Sequence, residues 1–182
     1  MKGYQGSKSI TDIIKLRINR LILSQGYINL LFRIVFITLV GYLIFTQVFL
    51  IARVKGNDMF PALKDGDLAI IYRLHKDYVK NDVVIYKNNG KRHVGRVIAK
   101  EEDVVNIDEN GTLYVNGTVQ NGEILYPTHA KESFTYPYRV EKDSVFILGD
   151  FRTKAEDSRD YGPIHKDNIE GKIISILRRR GL

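Results

Sequence analysis

Residues 34–52 read IVFITLVGYLIFTQVFLIA, nineteen consecutive positions without a charged side chain. As a helix rising about 1.5 Å per residue, the run spans about 28 Å, close to the hydrocarbon thickness of a bilayer. Six basic residues (Lys2, Lys8, Lys15, Arg17, Arg20, Arg33) and one acid, Asp12, precede it. A buried soluble helix needs no such flank. A membrane anchor does, and the positive-inside rule then predicts 1–33 as a cytoplasmic basic segment, 34–52 as a transmembrane signal anchor and 53–182 as an extracytoplasmic domain in the plasma membrane's outer compartment. Arg53-Val54-Lys55 follows the run where a cleaved leader would carry small residues, so the anchor is expected to stay attached. In 9–24, Ser9 and Asp12 have capping-box spacing, and Ile10, Ile13, Ile14, Ile18, Leu21 and Ile22 fall near one helical face. This fits a basic amphipathic helix on the inner membrane surface, or an irregular tail.

The charge divides at the same place. The whole chain carries +7, but 53–182 holds 22 basic against 20 acidic residues. The larger part therefore lacks the basic footprint of a nucleic-acid binder, and no nucleic-acid partner is expected. There is no Cys, hence no disulfide, thiolate metal site or cysteine nucleophile. His75, His93, His129 and His165 show no i,i+3 or i,i+4 pair, so neither a metal site nor a cofactor is expected.

From Asp67 onward the chain is a series of short β-rich runs: 68–72, 83–86, 93–99, 104–107, 112–115, 145–148 and 172–177. The expected fold class is mainly β, following a single N-terminal transmembrane helix. Asn110-Gly111 and Asn116-Gly117 have the composition of type I′ hairpin turns, whose two central residues need positive φ. The stretch 122–140 is the least regular, and Arg178-Arg179-Arg180 reads as a solvated tail.

Three segments in order carry a family resemblance. Gly56-Asn-Asp58-Met59-Phe60-Pro61-Ala-Leu63 with Gly66-Asp67 resembles the G-x-S-M-x-P-T-L…G-D box of type I signal peptidases, the membrane-anchored enzymes that remove leader peptides from exported proteins. Asp82 to Tyr86 with His93-Val-Gly95-Arg96-Val97 resembles that family's strand pair ending in Lys-Arg. Gly149-Asp150-Phe-Arg152 with Asp157-Ser158-Arg159 and Gly162 resembles its G-D-N-R…S-x-D-S-R…G box.

The resemblance implies a Ser-Lys dyad. A Ser hydroxyl needs a base to take its proton, and a Lys serves when burial keeps it neutral. Here the nucleophile position is Asp58, the base position is Gly95, and the Lys-orienting Ser position is Ala155. Gly95 can neither take nor give a proton. An Asp58 attack would form an anhydride, and its carboxylate is an acceptor-only group where a substrate carbonyl would approach. Asp58 sharing a proton with Asp150 or Asp157 would need two close free carboxylates. The resemblance instead makes Gly149, Asp150, Asp157, Ser158 and Arg159 structural, with an Asp157–Arg159 salt bridge. Lys91 and Lys100 flank the second box and project away from Gly95.

The implied function is that of a membrane-anchored, catalytically inactive signal-peptidase-like protein. The family binds extended leader peptides as an added strand, so such a relative can act as a peptide-binding or assembly factor, with membrane lipid and an exported protein as partners. Signal-peptidase-like proteins with this loss resemble those of Gram-positive surface pilus assembly, where the partner is a pilus subunit. Met59, Phe60, Pro61 and Leu63 are the partner-binding candidates, or else core. The alternative is an active signal peptidase with an unusual catalytic site.

Overall fold

The structure is a computed structural model that describes residues 10–120 and 124–178. Ile10–Val48 forms one α-helix, α1, of 39 residues, where the sequence suggested two separate segments. No proline interrupts 10–48, so nothing forces a break. Ser9, half of the expected capping pair, lies outside the described residues. The part long and apolar enough to cross a membrane is Leu23–Val48, about 39 Å at the helical rise. Thr38 and Thr46 donate their hydroxyls to the carbonyls of Ile34 (2.8 Å) and Leu43 (2.9 Å). That satisfies both groups without water, as a lipid environment requires.

The helix ends at Val48, not Ala52. Phe49–Arg53 is a strand, β1, antiparallel to β2 (Leu68–Tyr72), in register from Phe49↔Tyr72 to Arg53↔Leu68. Hydropathy could not separate them, because an apolar strand continuing an apolar helix leaves no change in composition. The chain accordingly divides between Thr46 and Gln47.

The second unit is β-rich. Further strands are β3 (Val83–Asn88), β4 (Lys91–Lys100), β5 (Val104–Ile107), β6 (Leu113–Val115), β7 (Thr118–Val119), β8 (Tyr138–Arg139), β9 (Ser144–Leu148), β10 (Ile164–His165) and β11 (Ile169–Leu177). One seven-stranded sheet has the order β1-β2-β11-β3-β4-β9-β10, and a four-stranded sheet has β7-β6-β5-β8. A single helical turn, α2 (Ser158–Tyr161), follows β9. The expected strands are present, with ends shifted by a few residues.

β4 and β9 organise the core. Val97, Val145 and Ile147 pack with Val84, Tyr86, Ile164 and Ile169. Ile98, Phe146 and Leu148 pack against Val105, Leu113 and Val115 of the smaller sheet. Alternation along each strand sends neighbouring residues to opposite faces, so each of these strands serves two clusters.

Of the two Asn-Gly turns, only one has the expected geometry. Asn116 and Gly117 both take positive φ, +51° and +76°, between β6 and β7. In the other, Gly111 alone does (φ +79°). Gly111 N–H donates to the Asp108 carbonyl (3.0 Å) and Asp108 N–H to the Thr112 carbonyl (3.1 Å). The Asp108 carboxylate also accepts from Thr112 N–H (2.7 Å), favouring the longer loop over a two-residue turn. Arg178 also departs from its expected role. Its guanidinium meets the buried Asp67 carboxylate (3.0 Å) and the Ala62 carbonyl (3.0 Å). Arg179 and Arg180 lie outside the described residues.

Candidate functional site

Asp58 sits in the turn between β1 and β2. Gly56, at φ +85°, donates its N–H to the Asp65 carboxylate, and Phe60 N–H donates to the Asn57 carbonyl (2.9 Å), winding the turn tightly. The Asp58 carbonyl accepts from Phe151 N–H (2.8 Å), which ties this turn to the segment after β9. Of the expected partner-binding residues, Met59 and Leu63 are core, 2% and 1% exposed, packed with Val54, Ile71 and Ile85. The turn is too tight to send all four apolar side chains outward, so of these candidates only Phe60 and Pro61 present surface. Phe60 rests against the Phe151 ring, 6.0 Å between centroids.

Gly95 lies on β4 opposite Val84 of β3. A Cβ on Gly95 would lie less than 3.0 Å from Cγ2 of Ile147, 3.4 Å from the Tyr86 ring and 3.4 Å from the Leu148 carbonyl oxygen. The next residue along β9's exit, Gly149, would with a Cβ meet the Ala155 Cβ and, at 2.6 Å, the Asp58 carbonyl oxygen. Asp58, Gly95 and Ala155 thus border one short stretch, Leu148-Gly149. The glycine at 149 is required by that close approach rather than by turn conformation.

The space beside Gly95 is filled by rings. Tyr86 and Tyr161 share a hydroxyl–hydroxyl hydrogen bond of 2.5 Å, and His93 stacks on Tyr86 with centroids 5.6 Å apart. Burial holds both tyrosines well above the ordinary phenol range, so they stay neutral and serve as hydrogen-bonding groups. Burial also raises the pKa of the Asp58 carboxyl, opposed electrostatically by His93 and reinforced by Glu156 and Asp157.

Neither carboxylate considered as a partner for Asp58 is free. Asp150 is held bidentately by Arg96, at 2.6 and 2.8 Å. Asp157 and Arg159 form the expected salt bridge at 2.8 Å, each 1% exposed. Asp157 also accepts from Gly149 N–H (3.1 Å), and the capping box with Asp160 starts α2. Ser158 accepts from Ile147 N–H (2.9 Å). These groups are fastened to backbone and to one another, an arrangement suited to holding β9 and α2 in place. Lys91 and Lys100 are exposed at the two ends of β4.

Sequence reasoning missed Lys131. It comes from the irregular stretch before β8, and its ammonium donates to the Ala155 carbonyl (2.8 Å) and bridges the Asp160 carboxylate (2.6 Å). No spacing rule links 131 to 155 or 160. Tyr86 and Tyr161 were likewise invisible as a pair, because 75 residues separate them.

A family model described as "Signal peptidase, peptidase S26" matches residues 27–177. The chain belongs to this signal peptidase family. Signal peptidase I of Bacillus caldolyticus is 32% identical over 136 residues, covering 66% of this chain and 74% of that protein. Signal peptidase IB of Staphylococcus aureus is 33% identical over 140 residues, covering 66% and 73%. Thylakoidal processing peptidase 1, chloroplastic, of Arabidopsis thaliana is 28% identical over 137 residues, and the match spans 39% of its length. A crystal structure of a signal peptidase I from Enterococcus faecalis V583 aligns with a TM-score of 0.47 at 21% identity, over 54% of this chain and 97% of that one. Within this signal-peptidase-like framework, the three strand and turn segments that carry the resemblance meet at Leu148-Gly149, and among the described residues Leu23–Val48 is the one helix long and apolar enough to cross a membrane.

Proposed function

We propose that this signal-peptidase-like protein is catalytically inactive, is anchored by one N-terminal helix with its β-rich unit outside the cytoplasm, and acts on exported proteins by binding or assembling them. The observation that carries the reading is the environment of Gly95. A base at this position would need a buried amine beside residue 58. The position has no side chain, and Ile147 and Tyr86 occupy the adjoining volume. Asp58 and Ala155 supply neither a hydroxyl nucleophile nor an orienting hydroxyl. Three losses in one machine, plus filling of the space it used, favour loss of the chemistry over its repair.

The partner proposed is an exported protein, with pilus subunits the favoured case on the resemblance to signal-peptidase-like proteins of pilus assembly. Phe60 and Pro61 are the proposed contact residues. Gly149, Asp150, Asp157, Ser158 and Arg159 are proposed to be structural.

One observation favours a second reading, an active peptidase with an unusual site. Burial raises the pKa of the Asp58 carboxyl, with His93 and Lys131 in electrostatic reach, so a perturbed carboxyl sits where a nucleophile would stand. The test is incubation of the purified full chain, in detergent micelles, with a preprotein. The expected result is no cleavage. Cleavage that disappears in Asp58→Asn overturns the inactive reading and establishes the second.

A further inference from the structure

We propose that a cleft on the face of β4 opposite Gly95 binds a peptide carboxyl terminus that ends in an apolar residue. The cleft measures about 490 Å³ and is lined from both sheets, a size suited to a small ligand or a chain end. It draws Arg96 and Ile98 from β4 and Leu113 from β6, with Arg152 and Asp150 in its wall and Leu125 beside them. Pro61 and Ala62 of the Asp58 turn also line it, so the cleft adjoins that turn, whereas a Cβ at Gly95 would face Ile147 and Tyr86 on the other side of β4.

Charge identifies the first ligand group. Arg96, Arg152 and Arg159 meet Asp150 and Asp157 here, which leaves one positive charge unmatched. Arg96 takes Asp150 and Arg159 takes Asp157, so the surplus falls on Arg152. That side chain is 4% exposed. Its Nε donates to the Gly149 carbonyl (2.9 Å) and its Nη1 to the Thr128 hydroxyl, both neutral acceptors. Among the described residues, Nη2 has no hydrogen-bond partner. Burial lowers its pKa only to about 10, so it stays charged at neutral pH. Asp150 and Asp157 lie within electrostatic reach but are hydrogen-bonded to Arg96 and Arg159; a buried cation left with neutral hydrogen-bond acceptors is costly, and a planar guanidinium with donors to spare is matched by a carboxylate.

The second group is fixed by Gln120. Its Nε2 donates to the Thr118 carbonyl (2.7 Å), which assigns the amide orientation. Its Oε1 is then buried with no partner, in the wall of the same cleft. An orphaned acceptor calls for an N–H donor. The remaining lining is apolar: Ile98, Leu113 and Leu125. A carboxylate, an N–H and an apolar side chain together describe the last residue of a polypeptide. A simple carboxylic acid lacks the N–H, and an internal residue that carries a carboxylate, Asp or Glu, has no apolar side chain beside it. This inference stands whether or not the Asp58 site is inactive.

The test is calorimetric titration of the full chain in detergent micelles with three probes: acetyl-Ala-Ala-Leu with a free carboxylate, its C-terminal amide, and 4-methylpentanoate, which keeps the carboxylate and branched carbon chain but has no N–H. The free-acid peptide should bind saturably, on the order of tenfold or more tighter than the amide, as expected for a hydrogen bond to a charged partner. Leu125→Asp, at a position 72% exposed, should weaken it at least about tenfold by setting a carboxylate at the mouth, with the thermal midpoint unchanged. Gln120→Leu should weaken the peptide but not 4-methylpentanoate. Arg152→Gln should erase the preference for the free acid where that variant folds. Equal binding of acid and amide overturns the proposal, as does binding of 4-methylpentanoate as tight as the peptide's or absence of saturable binding at millimolar peptide. The acid–amide comparison uses the unaltered protein, so misfolding of a variant cannot rescue the idea.

Discussion

Adding one methyl group at Gly95 tests whether the space beside it has been filled. The glycine does not have positive φ, and the added Cβ would meet Ile147 Cγ2 at less than 3.0 Å. Ile147 is fully buried and β-branched, so its χ1 cannot turn the offending methyl away cheaply. Overpacking of this kind costs about 1–3 kcal/mol. Replacing Gly with Ala at a compatible backbone position returns about 0.4–1 kcal/mol through the unfolded chain. The clash is the larger effect, and Gly95→Ala should be less stable by about 1–2 kcal/mol. Ile147→Ala alone should cost about 2–5 kcal/mol as a cavity mutation. In the double variant the new methyl occupies part of that cavity, so the cost should fall short of the sum by about 1–3 kcal/mol. The assay is thermal unfolding of the full chain in one fixed detergent, followed by circular dichroism. If Gly95→Ala is as stable as the unaltered protein, or if the two costs simply add, the claim that Ile147 fills this space is wrong. The same geometry governs restoration of the dyad. A Lys at 95 must displace both Ile147 and a Tyr86 ring held by Tyr161. Asp58→Ser with Gly95→Lys, even with Ala155→Ser added, should therefore leave a preprotein uncut.

Four further outcomes are expected. Arg159→Ala should destabilise by about 3–5 kcal/mol in denaturation, because it strands the buried Asp157 carboxylate. The Arg178 hydrogen bond holds the Asp67 carboxyl below its ordinary 3.8; a depressed folded pKa contributes stability above 3.8 that is lost as pH falls through the folded value. Arg178→Gln should move the Asp67 titration upward by NMR and flatten this acid limb, and an unmoved titration would refute the pairing. Asp58 has the opposite sign: its folded pKa is raised by burial, so stability should fall as pH rises from 3.8 through the folded value, and Asp58→Asn should remove that slope. Finally, a fragment 47–182 should melt higher than a fragment 53–182, because only the longer one keeps β1 on the edge of β2; equal midpoints would make β1 dispensable.

In a cell that depends on this protein, Asp58→Ala should leave partner assembly at the surface intact under the binding role proposed. Loss of assembly with the protein folded and abundant would give Asp58 an active part.

Features written locally were legible in the order of residues alone. An uncharged run after a basic flank specified an apolar helix, and alternating β-rich runs specified strands at 68–72 and 104–107 to the residue. The three ordered boxes carried the family, and the identities of Asp58, Gly95 and Ala155 sufficed to question its chemistry. The Asp157–Arg159 bridge was legible because it lies within one box. Tertiary structure decided what depends on distant residues or on unchanged composition. Phe49–Arg53 left the helix because β2 offers it an edge, and apolar composition is the same on either side of that switch. Met59 and Leu63 became core because the turn closes on itself. Arg178 left the solvated tail for Asp67, 111 residues earlier. Lys131, the Tyr86–Tyr161 pair and the surplus charge on Arg152 come together only through strand pairing and loop closure. Charge balance and packing around a site are sums over neighbours that the chain order does not reveal.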